Sequence, residues 1–270
     1  MCLKVKVRVI SAIIAIIIVV PIIYIGGNLF IFAAALIGLI GFRELLQLKE
    51  KEKELPLIMK LIGVVCFLLL VLTNLSTRSY EFLIDYKIVS LIIFLTTLPM
   101  VLIHDFKKYN INDVFFLLGS IFFLGVSFNY LITVRMLNLN YLVFLLLITI
   151  FTDTFAYLTG SLIGKNKMSK TVSPKKTWEG FIGGSLFGTF ISTMFYISAF
   201  DYTGNIYILI GIILLLTIIA QLGDLVFSSI KRYYAVKDFG KIMPGHGGIL
   251  DRLDSILFVL LAFSFIYSFL

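Results

Sequence analysis

Residues 205–230 read NIYILIGIILLLTIIAQLGDLVFSSI, an apolar block whose only side chain charged at neutral pH is that of Asp224. A helix needs about 20 consecutive apolar residues to cross the hydrocarbon core of a bilayer. The block is long enough, and it shows no alternation of polar and apolar positions. It therefore predicts a transmembrane helix with one acid near its end.

Apolar blocks of similar length recur along the chain, separated by clusters of charged or turn-forming residues. Hydrophobic residues make up 60% of the 270 positions and charged residues 14%, which excludes an ordinary water-soluble fold. The pattern predicts an all-α polytopic membrane protein with about nine transmembrane helices. The predicted spans are 5–25, 29–48, 57–75, 88–104, 113–131, 139–163, 179–200, 205–230 and 250–269.

The basic residues predict the orientation of these spans. With a cytoplasmic N-terminus, 20 of the 23 Lys and Arg residues fall in the inner segments, and only Arg78, Lys87 and Arg135 fall in the outer ones. The positive-inside rule then places the N-terminus in the cytoplasm and the C-terminus outside. The net charge of +8 would attract anionic headgroups or a soluble polyanion, although a mixed run such as 49–53 is also explained by topology alone.

The N-terminal segment allows two interpretations. Lys4, Lys6 and Arg8 followed by an apolar run resemble a secretory signal, but the run is long and no small-residue cleavage pattern follows, which favours an uncleaved first span.

Cys2 and Cys66 are the only cysteines, and they are too few for a disulfide framework, an iron–sulfur cluster or a thiolate zinc site.

The unusual polar residues are concentrated in the second half of the chain. We expect residues 1–135 to be a scaffold of transmembrane helices and residues 136–270 to be the catalytic region, with motif loops at 164–178 and 231–250.

Asp153 lies inside the sixth span, where an acid is costly unless it is paired, metal-bound or facing water. It is either a functional acid or a buried one paired to a lysine. Tyr157, Gly160 and Gly164 follow it at helical spacings, which predicts a polar, small-residue stripe facing the bundle interior.

The loop at 164–178 contains five lysines, hydroxyl side chains and a Ser-Pro turn before the only Trp, Trp178. Lysines neutralise phosphate charge and hydroxyls add directed hydrogen bonds. Topology alone also produces basic loops, so the loop is weak evidence without its neighbours.

In the eighth span, Gln221, Asp224, Ser228 and Lys231 share one helix face. Residues 244–248 then read PGHGG, a tight loop whose N–H groups can approach an anion, directly before a helix N-terminus.

Asp251 and Asp254 lie three apart at the start of that last helix, where they either complement the helix dipole or meet Asp224 across the bundle. Hard carboxylate oxygens suit Mg²⁺, which is usually held by one or two acids together with substrate phosphates. His246 without a cysteine cluster argues against zinc. The residues predict a metal-bound polyphosphate as substrate, with a second cation also expected.

Residues 228–254 read SSIKRYYAVKDFGKIMPGHGGILDRLD. This stretch closely resembles the signature of the phosphatidate cytidylyltransferase (CDP-diacylglycerol synthase) family, and the segments around Asp153 and Ser173 resemble that family too. The resemblance covers roughly residues 150–255. It implies transfer of a cytidylyl group from CTP to phosphatidate, with Mg²⁺, giving CDP-diacylglycerol and pyrophosphate.

The resemblance implies roles for individual residues. Asp224 and Asp251 are expected to be the principal metal ligands, with Asp254 assisting. The expected catalytic residues are Asp224, Lys231, Arg232, Asp251 and His246, the last as an acid for the leaving group, a hydrogen-bond donor or a residue that fixes the backbone. The expected substrate-binding residues are Asp153, Ser173, Lys175, Lys176, Thr177, Ser228, Ser229, Lys237, Asp238, Gly247, Gly248 and Arg252.

Two rival functions remain open at this point. Intramembrane acids and lysines also mark transporters for anionic solutes. A transporter predicts inverted repeats and discontinuous helices in both halves of the chain, whereas the polar residues here are confined to one half and one face, which disfavours it. Another CTP-using lipid enzyme, such as a polyprenol or phytol kinase or an ether-lipid synthase, would use similar helices with a different acceptor.

The expected partners are CTP, phosphatidate and membrane lipid, with no nucleic acid. The small residues around Gly38 and Gly41 are compatible with a homodimer. The expected location is the cytoplasmic (inner) membrane, with the active site facing the cytoplasm.

Overall fold

A computed structural model of the chain describes residues 2–74, 82–103, 105–242 and 247–267. Within these ranges the chain forms nine α-helices and one small β-hairpin, so the predicted all-α class is confirmed. The helices are α1 (Cys2–Ile25), α2 (Gly27–Glu50), α3 (Leu57–Val71), α4 (Tyr86–Leu102), α5 (Ile111–Leu137), α6 (Leu139–Ile163), α7 (Trp178–Phe200), α8 (Ile206–Tyr233) and α9 (Leu250–Ile266).

Five of these helices are long and apolar enough to cross a membrane, namely α2, α5, α6, α7 and α8. Shorter apolar helical stretches occupy Ile13–Ile25 in α1 and the whole of α3 and α4. The structure therefore supports a membrane protein built of helices. The count of nine spans and the sides on which the termini lie stay predictions.

Polar caps explain why several helices begin where the apolar blocks begin. The Asn138 side chain accepts a hydrogen bond from the Asn140 N–H (2.9 Å) at the start of α6, and Asn205 accepts one from the Tyr207 N–H (2.9 Å) at the start of α8. Each cap satisfies one of the backbone donors that a helix N-terminus leaves without a partner. The predicted span 139–163 consequently has the same ends as α6.

The chain divides into two compact units. The first comprises Met1–Leu137 and Asp238–Asp251, and the second comprises Asn138–Lys237 and Arg252–Leu270. Residues 238–251, which the sequence analysis grouped with the C-terminal half, thus belong to the unit of the N-terminal helices. The assignment of 1–135 as scaffold and 136–270 as catalytic region is a statement about function and stays a prediction.

In the first unit, aromatic side chains pack against glycines. Phe42 stacks on Phe67 with ring centroids 5.2 Å apart, and Phe67 meets Phe128 edge to face at 6.4 Å. A Cβ atom at Gly38 would lie 2.8 Å from the Phe67 ring and 3.0 Å from Phe128, and one at Gly41 would lie 2.9 Å from Leu250. These small residues are thus explained by packing inside the unit, and the homodimer stays a prediction.

In the second unit, α6 and α7 approach each other closely along a row of small residues. Gly180, Gly184 and Gly188 are spaced four apart on α7, and a Cβ atom at Gly184 would lie 2.6 Å from the Thr152 carbonyl oxygen. Such small-residue rows let helix backbones come together in membranes, where no hydrophobic driving force does so.

The small hairpin precedes α7 in the second unit. Strands β1 (Lys167–Ser169) and β2 (Ser173–Thr177) are antiparallel, with Lys167 opposite Thr177 and Ser169 opposite Ser173. The sequence predicted a basic loop with a Ser-Pro turn here, and not a pair of strands. The hairpin matters because it fixes which way each lysine of β2 points.

A single methyl group tests the close approach of α6 and α7. We expect Gly184→Ala to lower the free energy of unfolding in detergent micelles by about 1–3 kcal/mol, because the new Cβ collides with backbone. The matched control is Gly211→Ala on α8, where a Cβ atom would meet nothing within 4 Å. Equal stability of the two variants would contradict the packing described here.

Candidate active site

The predicted polar stripe of α8 lies on one face of that helix. Gln221, Ser228 and Lys231 are buried, at 4%, 8% and 8% exposure. The Gln221 amide donates to the Phe181 carbonyl (3.1 Å) and to Ser185 Oγ (2.9 Å), which ties α8 to α7. Ser228 Oγ donates to Asp224 Oδ1 at 3.3 Å, so the stripe is internally hydrogen-bonded around the acid.

An ion pair joins the hairpin to the acid of α8. The Lys176 ammonium lies 2.7 Å from Asp224 Oδ2 and also donates to the Gln221 carbonyl oxygen at 3.2 Å. Both side chains are about a quarter exposed, so the pair is partly screened by solvent. Within the described residues these partners use two of the three N–H donors of the ammonium group, which leaves one for an anion.

Two further acids lie near this pair. Asp254 of α9 is within electrostatic range of Asp224, Asp153 and Lys231. Asp153 of α6 is exposed, and its Oδ2 accepts a hydrogen bond from Ser255 Oγ at 3.4 Å. If all three carboxylates are ionised they repel one another despite the two lysines, and either a proton or a bound cation would relieve that repulsion.

Arg232 has a different position from Lys231, its neighbour on α8. Its Nε donates to the Val172 carbonyl (3.2 Å) and its Nη1 to the Val236 carbonyl (3.0 Å). The guanidinium therefore links the hairpin turn to the segment that follows α8. In this arrangement Arg232 organises the loops around the acids, whereas Lys231 is buried close to Asp254.

Asp251 belongs to the first unit, where it organises its own loop. Its Oδ2 accepts hydrogen bonds from the Phe239 N–H (2.8 Å) and the Gly248 N–H (2.9 Å). Gly247 has a φ of +92°, a conformation that glycine adopts without strain. The Gly248 N–H that the sequence analysis offered to an anion is thus engaged by Asp251.

The remaining predicted residues divide into three groups. The hydroxyls of Thr177 and Ser229 are engaged locally, since Thr177 Oγ1 accepts from the Gly180 N–H (3.2 Å) and Ser229 Oγ donates to the Leu225 carbonyl (2.9 Å). His246 lies outside the described residues. The others are Ser173, which is half-buried, and the exposed Lys175, Lys237, Asp238 and Arg252.

One expectation about α6 was wrong. Tyr157 is 75% exposed rather than turned toward the bundle interior. Gly160, by contrast, does face protein, because a Cβ atom there would lie 2.9 Å from Thr177 Oγ1 and 3.5 Å from Gly180 Cα. The stripe therefore consists of the small residues alone, and the tyrosine projects away from it.

The donor set determines which metal these residues fit. Within the described ranges, no group of three or more Asp, Glu, His or Cys side chains is arranged to hold a metal by itself. Asp224 and Asp254 do provide hard carboxylate oxygens close to cationic side chains. This arrangement fits Mg²⁺ shared between one or two carboxylates and substrate phosphates, rather than an all-protein cage. The predicted magnesium ligands, Asp251 included, stay predictions.

Sequence reasoning missed two polar residues that hold the motif segments. Ser255 donates to Asp153, and Glu44 of α2 accepts hydrogen bonds from the backbone at the start of α9. Glu44 carried a usable signal, because it is an isolated acid within an apolar span, as Asp153 is.

Comparison with known proteins decides the family. The model of the cytidylyltransferase family matches residues 6–270, nearly the whole chain. The chain belongs to that family. The match extends well beyond the 150–255 stretch that carried the resemblance in sequence, and it includes the N-terminal helices.

Curated members of the family are similar to this chain over most of their length. A Staphylococcus haemolyticus protein named phosphatidate cytidylyltransferase is 38% identical over 94% of this chain and 96% of its own. A Staphylococcus aureus protein of the same name is also 38% identical, and one from Staphylococcus saprophyticus is 36% identical, with the same coverage. All three relatives carry the name of a cytidylyltransferase, in agreement with the family match of this chain.

A double-mutant cycle tests whether Lys176 and Asp224 interact. With Lys176→Met and Asp224→Asn made singly and together, we expect a coupling free energy of about 1 kcal/mol in detergent-based unfolding, since the pair is partly exposed. Lys170→Met is the control, because Lys170 is exposed in the turn of the same hairpin. Its cycle with Asp224→Asn should be additive, and additivity in the Lys176 cycle would contradict the ion pair.

Proposed function

We propose that this chain transfers a cytidylyl group from CTP to phosphatidate and so forms CDP-diacylglycerol and pyrophosphate. Membership of the cytidylyltransferase family and relatives named phosphatidate cytidylyltransferase support this reaction. The observation that carries it is the Lys176–Asp224 pair with Asp254 and Lys231 nearby. Acids that attract a cation beside lysines that bind anions are what a metal-bound nucleoside triphosphate requires.

The proposed reaction does not require a general base from the protein. A phosphate monoester has its second pKa near about 6, so phosphatidate is largely a dianion at neutral pH. One of its oxygens bonds to the α-phosphorus of CTP while the bond from that phosphorus to the bridging oxygen breaks and pyrophosphate leaves. No proton needs to be removed from the nucleophile. The task of the side chains is to hold two anions together and stabilise the leaving charge.

The lysines are assigned to the phosphates. Lys176 is held by Asp224 and the Gln221 carbonyl with one donor remaining, so it can bind a phosphate oxygen without moving far. Lys231 is buried beside the acids, where its charge is weakly screened and acts strongly on a nearby anion. Arg232 supports this arrangement by linking the loops on either side.

The acids are assigned to Mg²⁺, which would neutralise charge on the triphosphate when bound. Asp224 is the first candidate ligand, because Ser228 and Lys176 orient its two oxygens. Asp254 is the second candidate in the same unit, and Asp251 enters the proposal from the sequence motif. His246 keeps the three roles left open by the sequence.

Loss of the Asp224 charge tests the assignment. Purified protein in detergent, given cytidine-labelled CTP, phosphatidate and Mg²⁺, should form a labelled lipid and release one pyrophosphate for each label transferred. Asp224→Asn should reduce kcat by at least about 100-fold, the typical cost of removing a group that stabilises transition-state charge.

The control for that experiment is Asp201→Asn, which changes an exposed acid at the end of α7 in the same unit. Asparagine tolerates the left-handed conformation found there, so its activity should match the wild type. Full activity of Asp224→Asn, or wild-type protein that phosphorylates an alcohol instead of transferring cytidylate, would contradict the proposed function.

The proposed location is the cytoplasmic membrane, with the hairpin on the cytoplasmic side, where CTP is present. Single cysteines at Lys170, in the hairpin turn, and at Thr203, between α7 and α8, test this orientation in a background lacking Cys2 and Cys66. A membrane-impermeant maleimide should label Thr203→Cys in intact cells, and Lys170→Cys only after permeabilisation. The reverse pattern would overturn the predicted orientation.

A further inference from the structure

Glu44 is a buried acid that has no role in the proposed chemistry. It lies toward the C-terminal end of α2, in the first unit, and only 1% of its surface is exposed. A carboxylate in such a position is costly unless hydrogen bonds replace the water it has lost. Its partners therefore show what the residue is for.

Both oxygens of Glu44 accept hydrogen bonds from backbone at the start of α9. The Ile249 N–H donates to Oε1 (2.9 Å) and the Leu250 N–H donates to Oε2 (3.0 Å). The first N–H groups of a helix have no partner within the helix, and their partial positive charge favours an anion. Glu44 thus caps a helix that begins 206 residues later in the sequence.

Two glycines of the motif loop make room for this carboxylate. A Cβ atom at Gly248 would lie 2.5 Å from Glu44 Oε1 and 2.6 Å from Oε2, and a Cβ atom at Gly240 would also collide with Oε1. The loop backbone therefore approaches Glu44 from two separate positions. A glycine at each is explained by the close approach itself.

The same loop is held from its other side by Asp251. The Gly248 N–H donates to Asp251 Oδ2, and the Phe239 N–H donates to the same oxygen. Gly248 therefore contacts both acids, because its N–H donates to Asp251 and its Cα lies against the Glu44 carboxylate. A change in the Glu44 carboxylate would move the backbone that orients Asp251.

We propose that Glu44 is a positioning residue for the described parts of the motif loop, residues 238–242 and 247–251: by capping α9 and supporting Gly240 and Gly248, it sets the direction of the Asp251 carboxylate. This inference rests on the proposed function insofar as Asp251 serves Mg²⁺ or the nucleotide. Glu44 itself touches neither. It gives the N-terminal helices a part in the reaction that their apolar sequence does not reveal.

The test compares Glu44→Gln with Glu44→Ala. Glutamine keeps one oxygen that accepts an N–H but replaces the other with a donor, whereas alanine removes both acceptors. Hydrogen exchange at Ile249 and Leu250 should therefore speed up about tenfold in Glu44→Gln, and more in Glu44→Ala, since a hydrogen bond to a charged group is lost. Exchange in α7, in the other unit, should stay unchanged.

The kinetic arm separates positioning from general support of the fold. Glu44→Gln should raise the Mg²⁺ concentration for half-maximal activity several-fold and lower kcat, while the KM for phosphatidate stays near the wild-type value. Glu54→Ala is the matched control, because Glu54 is an exposed acid just beyond α2. It should leave both the exchange and the kinetics unchanged.

A second variant keeps the test decisive if Glu44 variants do not fold. Gly248→Ala pushes a methyl group against the Glu44 carboxylate and should reproduce the faster exchange and the Mg²⁺ shift. Gly119→Ala on α5, where a Cβ atom would meet nothing within 4 Å, should not.

Two results would overturn the inference. One is unchanged exchange at Ile249 and Leu250 in the Glu44 variants, and the other is unchanged Mg²⁺ dependence and kcat in active protein. Wild-type protein that forms no liponucleotide would instead contradict the proposed function, and the exchange measurement would still decide whether Glu44 holds the loop.

Discussion

An ionised carboxylate among apolar helices needs a cation or several hydrogen-bond donors, and this requirement organises both units of the protein. In the second unit, Asp224 meets it with Lys176 and Ser228. In the first unit, Glu44 and Asp251 meet it with backbone N–H groups of the motif loop. Because each acid has its own partner, the acids fix loops and helix ends that apolar packing alone would leave undefined.

The acids that are hydrogen-bonded by backbone and the acid that is paired with a lysine have different roles. An acid that is hydrogen-bonded by backbone, such as Glu44, has its oxygens engaged and acts by holding structure. An acid that is paired with a single lysine and partly exposed, such as Asp224, can still bind a metal ion or exchange its partner with a phosphate. The reaction we propose needs a partly exposed acid such as Asp224 at the phosphates. It needs a backbone-bonded acid such as Glu44 to hold the motif loop. No general base is required, because phosphatidate carries its nucleophilic charge already.

Much of this could be predicted from the sequence, and the remainder has clear physical causes. The length of the apolar block places α6 to the residue, and helical spacing places Gln221, Asp224, Ser228 and Lys231 on one face. The hairpin escaped prediction because its strands are short and polar, so neither shows the alternation that marks a half-buried strand. Tyr157 was misplaced because helical spacing gives a face but not which neighbour that face meets. Glu44 is recognisable in the sequence as an isolated acid, but its capping of α9 is not predictable, since the contact joins residues 206 positions apart.

The fate of the individual phosphorus atoms of CTP tests the central claim most directly. Purified protein would be given phosphatidate and Mg²⁺ with CTP carrying radioactive phosphorus at either the α or the γ position, and the lipid fraction would be counted. Attack at the α-phosphorus predicts that the α label enters the lipid and that the γ label leaves with pyrophosphate. Entry of the γ label into lipid would contradict the account, because it would mean phosphoryl transfer rather than cytidylyl transfer.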